Sequence, residues 1–393
     1  MRSPTIALPE PVLSLVDRIE AAHGAAYLVG RGLRELLEGN QPGELEIATE
    51  ASPPHLLELL PTAVVIAAHA RRLTLPSPSG PIDLIPLQAD IETELWRRDF
   101  RIHAIAYRPH TGTWLDPSDG RVDLARRQLR TPLPADECLA GDPLRALRAA
   151  RLVSELGLEV APELETAMRE IAPRFEKLRG RRLRVEIDAL LLGAHVGRAL
   201  ELLATTGITA SLAPGAAPDG AAVVPRLPRE LELRLAAWLR GAPARATLRN
   251  LRCPRDRAGR VERLLQMHPI DAGPRAARET RARRLARRPE PERIALRALR
   301  AAEIDAGPAD AAALARFAHL NESLERALRA REQMQRRATL ALDGLAVMAH
   351  LGCGPGALVG RALRHLAEAV ERDPSLNRPD ALRELLDAWP RDT

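Results

Sequence analysis

The sequence predicts a mixed α/β head of about 135 residues followed by an elongated all-helical remainder. Three observations carry that division. Short apolar runs with strand-like alternation, separated by Gly- and Pro-containing turns, fill the first part of the chain. From Pro143 onward strand signals nearly vanish and apolar residues recur at helical spacing. Only three phenylalanines and two tyrosines occur, so both regions must build their cores from Leu, Ala, Val and Ile.

In the head, Ala26–Val29 is a short apolar strand meeting a Gly-Arg-Gly turn, and Leu33–Leu37 reads as a helix stopped by Gly39 and Pro42. Glu44–Ala48 alternates charged and apolar residues, as a half-buried strand does. Pro53–Leu60 has helical spacing, with proline near its start where the missing N–H costs little. Val64–Ala68, Arg72–Leu75 and Ile82–Ile85 are further strands, the last two separated by a hairpin-like turn at 77–80.

In the remainder, Leu144, Leu147, Ala150, Val153 and Leu156 form one apolar stripe, ended by Gly157. Helices are expected at 163–172, 183–192 and 196–204, with a Pro/Gly/Ala-rich break at 211–230. They resume at Glu230–Trp238 and continue, with breaks near 301–310 and 351–356, to the end. No fixed-period repeat is visible.

Composition bounds the possibilities. Cys138, Cys253 and Cys353 are few, distant and odd in number, which argues against a disulfide framework or a thiolate zinc site and for a reducing, cytoplasmic location. Neither a signal-peptide pattern nor an apolar run long enough to span a bilayer is seen, so no membrane partner is expected. Net charge is +6, and Lys177 is the single lysine among 58 basic residues. That bias has two readings, genome composition or phosphate recognition. Eight arginines lie between Arg281 and Arg300, interleaved with Leu285, Ile294 and Leu299. This reads as a basic helical face, either solvated or in contact with RNA. His268, His319, His350 and His365 lack ligand spacing and read as structural or surface residues, and Cys353 reads as buried filler.

The candidate chemistry lies in the head. Strand alternation puts Glu44 and Glu46 on one side, and Asp83, between Ile82 and Leu84, supplies a third acid. Adjacent carboxylates repel unless a cation lies between them, as divalent ions do in phosphoryl-transfer sites. The bland alternative is an edge strand with a solvated polar face. Gly30 and Gly32 lie between strand and helix, where exposed N–H groups could cradle a triphosphate, and Arg34 could pair with its oxygens. Neither a P-loop nor a dinucleotide fingerprint is present.

These residues fall within a longer series of motifs. Tyr27-Leu-Val-Gly-Arg-Gly-Leu-Arg-Glu-Leu-Leu-Glu-Gly39, Glu44-Leu-Glu-Ile-Ala-Thr49 and Arg97-Arg-Asp-Phe-Arg-Ile-His-Ala-Ile-Ala-Tyr107 occur in order. Trp114-Leu-Asp-Pro, Asp142-Pro-Leu-Arg-Ala-Leu-Arg-Ala-Ala-Arg151 and Arg182-Leu-Arg-Val-Glu186 follow. Leu233–Leu239, Ala341–Leu345 and Leu351–Gly360 continue the series toward the end. Together they resemble the bacterial CCA-adding tRNA nucleotidyltransferase and poly(A) polymerase family, class II nucleotidyltransferases.

The resemblance implies a polymerase-beta-like nucleotidyltransferase head at 1–137 (core from about 24), a helical neck at 138–210, an RNA-binding helical body at 211–330 and a helical tail at 331–393. It further implies transfer of C and/or A from CTP or ATP to the 3′ end of tRNA or another RNA, with release of pyrophosphate. Two Mg²⁺ ions, or Mn²⁺, would be held by Glu44, Glu46 and Asp83. Nucleotide would be bound by Gly30, Arg31, Arg34, Arg98, Asp99, His103, Asp142, Arg145 and Arg148. Asp142 and Arg145 fall where the family reads the Watson–Crick edge, and Arg151 lies beside them on the neck. Monomer and homodimer are both open.

Several positions depart from the family pattern. Glutamates 44 and 46 replace aspartates, Arg31 a glycine, Arg101 a threonine, His103 an asparagine, Gly141 a glutamate and Gln88 an arginine. An added methylene moves a carboxylate by about 1 Å, and magnesium tolerates little error near ~2.1 Å. Arginines 31 and 101 could rebuild a triphosphate site in a different shape. Two functions follow: a metal-dependent nucleotidyltransferase, or a member that binds RNA without nucleotide transfer.

Overall fold

The computed structural model describes residues 6, 8–67, 72–77, 80–338 and 340–389. The chain divides into two compact units, Met1–Arg263 and Leu264–Thr393. An N-terminal mixed α/β sheet region is followed by a largely helical one, as the periodicity predicts.

The first unit is built on a seven-stranded sheet. Its strands are β1 (Ala26–Val29), β2 (Leu45–Thr49), β3 (Val64–Ala67), β4 (Arg72–Leu75), β5 (Ile82–Pro86), β6 (Ala106–Arg108) and β7 (Thr113–Leu115). Their spatial order is β3-β4-β5-β2-β1-β6-β7. Among the described pairings of this sheet, β2 and β5 alone run parallel. Helices α1 (Glu10–His23), α2 (Gly30–Leu37), α3 (Pro53–Leu59), α4 (Ile91–Trp96) and α5 (Gly120–Ala125) flank the sheet.

Alternation along the strands separates two faces. Leu28, Ile47, Leu73 and Leu84 point to one side and pack with Val16, Ile19 and Leu56 of α1 and α3. Burial of each such side chain contributes about 1.5–3 kcal/mol. On the other face Val29, Ala48 and Ala106 pack with Leu95 of α4. Glu46 and Asp83 share that second face, directly opposite each other across the parallel pair. The register that buries Ile47 and Leu84 therefore forces the two acids together.

Helix α2 is fixed by its glycines. Gly30 has φ +73°, and a Cβ there would meet the Glu46 carboxylate. A Cβ on Gly32 would fall 2.3 Å from the Glu44 carbonyl oxygen, so only glycine lets this helix lie against the backbone entering β2.

The unit continues through β8 (Gln128–Leu129), α6 (Ala135–Gly141), α7 (Leu144–Leu156), β9 (Glu159–Val160), α8 (Pro162–Ile171), α9 (Arg181–Leu192) and α10 (Val196–Thr205). Shorter helices α11 (Ile208–Leu212), α12 (Gly220–Val223), α13 (Leu231–Trp238) and α14 (Ala244–Asn250) follow, and the unit boundary falls within α15 (Arg255–Met267). Helix α7 buries Leu144, Leu147, Ala150 and Val153 against α9 and α10 and stops at Gly157, which is left-handed at φ 65°.

The second unit holds α16 (Arg275–Ala286), α17 (Glu290–Ala306), α18 (Ala311–Ala338), α19 (Gly344–Leu351), α20 (Ala357–Arg372) and α21 (Pro379–Asp387). Helices α16 and α18 pack together, and Leu342, Val347, Leu366, Leu382 and Leu386 form a small separate core.

Some local expectations shift. The predicted Gly-Arg-Gly turn is the first turn of α2, because only Gly30 takes a positive φ. Glu44 lies in the bend before β2 rather than on it. The 211–230 break contains α12, whereas the break expected near 301–310 is present between α17 and α18, at 307–310. Ile294 is exposed whereas Leu285 and Leu299 are buried, so the basic segment has a narrower apolar stripe than expected. Ala68 of the third predicted strand, and Pro78 and Ser79 of the predicted turn, lie outside the described residues.

Candidate functional site

The acids of the second sheet face meet arginines. Arg72 on β4 places Nη2 3.3 Å from Glu46 Oε1 and Nε 2.8 Å from Asp83 Oδ2. Arg98, just after α4, donates from Nη1 to Glu46 Oε2 at 2.9 Å. Thr74, opposite Asp83 in the ladder, donates its hydroxyl to Asp83 Oδ1. Glu44 is exposed as a residue, but its carboxyl end lies against Asp83. Local desolvation, the hydrogen bond to Asp83 and that neighbour's charge push its pKa up.

Beside this cluster lies a cavity of about 480 Å³, lined by Arg31, Arg72, Arg97, Arg98, Arg145, Arg148 and Arg151 together with Gly30, Glu46, Glu94, Asp99 and His103. Asp99 braces it. Its carboxylate accepts from Arg148 Nη1 at 2.8 Å and sits 3.2 Å from His103 Nδ1. Burial works to raise the Asp99 pKa, but His103 and Arg148 outweigh it and hold the carboxyl well below its ordinary range. Arg148 Nε also donates to Glu186 on α9 at 3.2 Å, and Arg151 Nε donates to the same carboxylate at 2.7 Å. Two arginines one turn apart on α7 are thus anchored by one glutamate. Arg98 Nη2 and His103 Nε2 are buried and lack a hydrogen-bond partner within the protein.

Of the residues singled out in the sequence, Gly30, Arg31, Glu46, Arg98, Asp99, His103, Arg145 and Arg148 line this cavity. Arg145 reaches Cys138 Sγ at 2.7 Å and the Arg97 carbonyl at 3.1 Å. Asp142 is held by Arg182 at 2.9 Å. Arg34 is 2% exposed and turns to Glu35 of its own helix and Glu38 just past its end; burial lowers its pKa, and it does not line the cavity. Arg101 donates to the Thr131 carbonyl at 3.1 Å and lies 4.0 Å from Asp123; it does not rebuild a triphosphate site. Arg72 was missed as a site residue. Strand alternation could have found it, since Arg72, Thr74 and Asp83 share one face of an antiparallel pair.

Magnesium requires carboxylate oxygens free to approach to about 2.1 Å in near-octahedral order. Here each Glu46 oxygen faces a guanidinium nitrogen, and both Asp83 oxygens are engaged by Arg72 and Thr74. In this arrangement Glu46 and Asp83 do not fit a two-magnesium site. Among the described residues, no group of three or more His, Cys, Asp or Glu side chains is placed to hold a metal. No helix among them is long and apolar enough to cross a membrane.

The fold and cavity define a nucleotidyltransferase-type head joined to helices, and comparisons with known proteins agree. Residues 68–130 match the family described as the poly(A) polymerase head domain, and residues 157–219 match a probable RNA- and SrmB-binding site of polymerase A. The chain is 34% identical over 248 residues to the CCA-adding enzyme of Geobacillus stearothermophilus, covering 59% of this chain and 58% of that protein. It is 35% identical over 200 residues to the CC-adding tRNA nucleotidyltransferase of Shouchella clausii, covering 50% and 52%. The aligned stretch thus spans somewhat more than half the length of these relatives. A crystal structure of the Bacillus stearothermophilus CCA-adding enzyme in complex with CTP superposes with a TM-score of 0.64 at 25% identity, covering 97% of this chain and 98% of that one. The Thermotoga maritima CCA-adding enzyme complexed with tRNA shares the fold, with a TM-score of 0.64 at 18% identity and coverage of 97% and 96%. Over these stretches the chain is homologous to the bacterial CCA-adding enzyme and poly(A) polymerase family of class II nucleotidyltransferases, and it shares their fold.

Proposed function

We propose that this chain binds a ribonucleoside triphosphate, CTP or ATP, together with the 3′ end of a tRNA or other RNA, in the arginine-lined cavity of its first unit. The observation that carries this reading is the seven-arginine lining of a space of about 480 Å³, within the range of ordinary small-molecule sites. A polyphosphate supplies the anionic oxygens that such a lining takes up. Arg98 Nη2 and His103 Nε2 are buried donors or acceptors still in want of a partner. The Shouchella clausii relative is a tRNA nucleotidyltransferase by name, and structures of this fold hold CTP and ATP.

A second reading is addition of C or A to an RNA 3′ end, with release of pyrophosphate. It is favoured by the retention of Glu44, Glu46 and Asp83 side by side, and it requires ligand binding to draw Arg72 and Arg98 off those carboxylates. Calorimetric titration of CTP and ATP, in EDTA and in Mg²⁺, tests the first reading; binding in EDTA that weakens as salt rises is expected. No binding under either condition overturns it. Labelled CTP or ATP incubated with tRNA ending before CCA, in Mg²⁺ or Mn²⁺, decides on transfer: extension establishes the second reading, and a failure to extend leaves binding alone.

A further inference from the structure

Resting on that ligand reading, we infer that Arg72 is a tethered cation that takes the place of a divalent ion between Glu46 and Asp83, so the cavity receives its polyphosphate without metal. The parallel register sets Glu46 opposite Asp83, on strands about 4.8 Å apart. Two carboxylates so placed need positive charge between them. Arg72 supplies it from the neighbouring strand, with Nη2 on Glu46 at 3.3 Å and Nε on Asp83 at 2.8 Å. Its position is set by the ladder. Thr74 lies opposite Asp83, and Arg72, two residues away on the same strand, falls on the same face.

Glu46 and Asp83 both face Arg72, and Arg98 adds a second cation to Glu46 while also pairing with Glu94. A divalent ion added here would sit within a few ångströms of two guanidinium groups, or would have to displace one. The glutamate at 46 suits this arrangement. Its extra methylene carries the carboxylate between Arg72 and Arg98, into space left by the missing Cβ of Gly30, where an added Cβ would lie 2.6 Å from Oε2. The cation is therefore part of the chain, and its approach to the ligand is set by the sheet.

The test uses the full-length protein and Mn²⁺ alone. Wild type should show no stoichiometric Mn²⁺ site by electron paramagnetic resonance titration and no Mn²⁺-dependent rise in melting temperature. Arg72→Ala should gain a site, tightening Mn²⁺ binding by about tenfold or more, and Mn²⁺ should raise its melting temperature. Adding Glu46→Gln to that variant should abolish both gains. The inference is overturned by a stoichiometric Mn²⁺ site in wild type that Glu46→Gln removes, or by a folded Arg72→Ala protein that gains none. Should Arg72→Ala not fold, wild-type CTP affinity decides. It should agree within about twofold between EDTA and Mn²⁺, and a tenfold loss in EDTA overturns the inference. Loss of CTP binding in both media defeats the ligand reading instead, while the Mn²⁺ titrations still judge Arg72.

Discussion

In the cavity of the first unit, arginines are braced by acids far away in sequence: Arg98 by Glu46, Arg148 by Asp99 and Glu186, Arg151 by Glu186. In the second unit a groove of about 630 Å³ between α16 and α18 is also rich in arginine, including Arg275, Arg283, Arg287, Arg326 and Arg331. Pairs within a helix occur in both regions, but among the described residues none of these five arginines pairs with an acid distant in sequence. Arg275 pairs with Glu279 one turn along its own helix, Arg326 donates to Ser323, and Arg331 donates to the Ala286 carbonyl. Equal enrichment in arginine thus gives two different surfaces. Acids from several elements fix guanidinium planes in the first, which favours recognition of a ligand of defined shape. In the second, an intrahelical ion pair, a hydroxyl and a backbone carbonyl hold the arginines, which leaves a basic surface with little carboxylate bracing.

The comparison is broken most forcefully at Asp99. Asp99→Asn removes a buried charge paired with Arg148 and His103 and should cost about 3–5 kcal/mol in urea denaturation at pH 7. The pH dependence has a defined sign. The folded-state pKa of Asp99 is lowered, so its contribution is complete above the ordinary value of about 3.9 and is lost as pH falls below it. Wild type should therefore lose stability through that acid window, and the asparagine variant should show a shallower loss over the same range.

Next in size is Gly32→Ala. Its Cβ would meet the Glu44 carbonyl at 2.3 Å; backbone cannot yield as a side chain can, and the cost should be about 1–3 kcal/mol by the same measurement. Arg98→Ala should weaken CTP binding by about tenfold or more, as expected for loss of a charge-assisted hydrogen bond, and calorimetry checks it. The smallest effect belongs to the other groove. Arg275→Ala breaks an exposed pair and should change stability by less than about 0.5 kcal/mol. A loss there as large as that of Asp99→Asn would erase the distinction between the two regions.

Much of the site was legible along the chain. Glu46 and Asp83 were placed by period-two alternation, and Arg98, Asp99, Arg145 and Arg148 by motif order. Others were misread because their partners lie elsewhere. Arg34 looked free to meet phosphate, yet packing of α2 on β2 buries it beside Glu35 and Glu38. Arg101 looked like a gained phosphate ligand, yet it turns to Thr131 and Asp123. Arg72 read as the plain start of a strand; alternation gives its face, but the acids it joins lie on other strands, and only the pairing order brings them to it.

The sequence by itself determined the order of elements, the apolar faces, and the family to which its motifs point, because periodicity and motif spacing are properties of neighbouring residues. Tertiary structure alone decided which charges neutralise which. Glu46 and Asp83 meet through strand pairing, and Arg72 reaches them from a third strand. The physical reason is that Coulomb energy depends on distance in space, and strands brought to within about 5 Å come from segments that no local pattern joins.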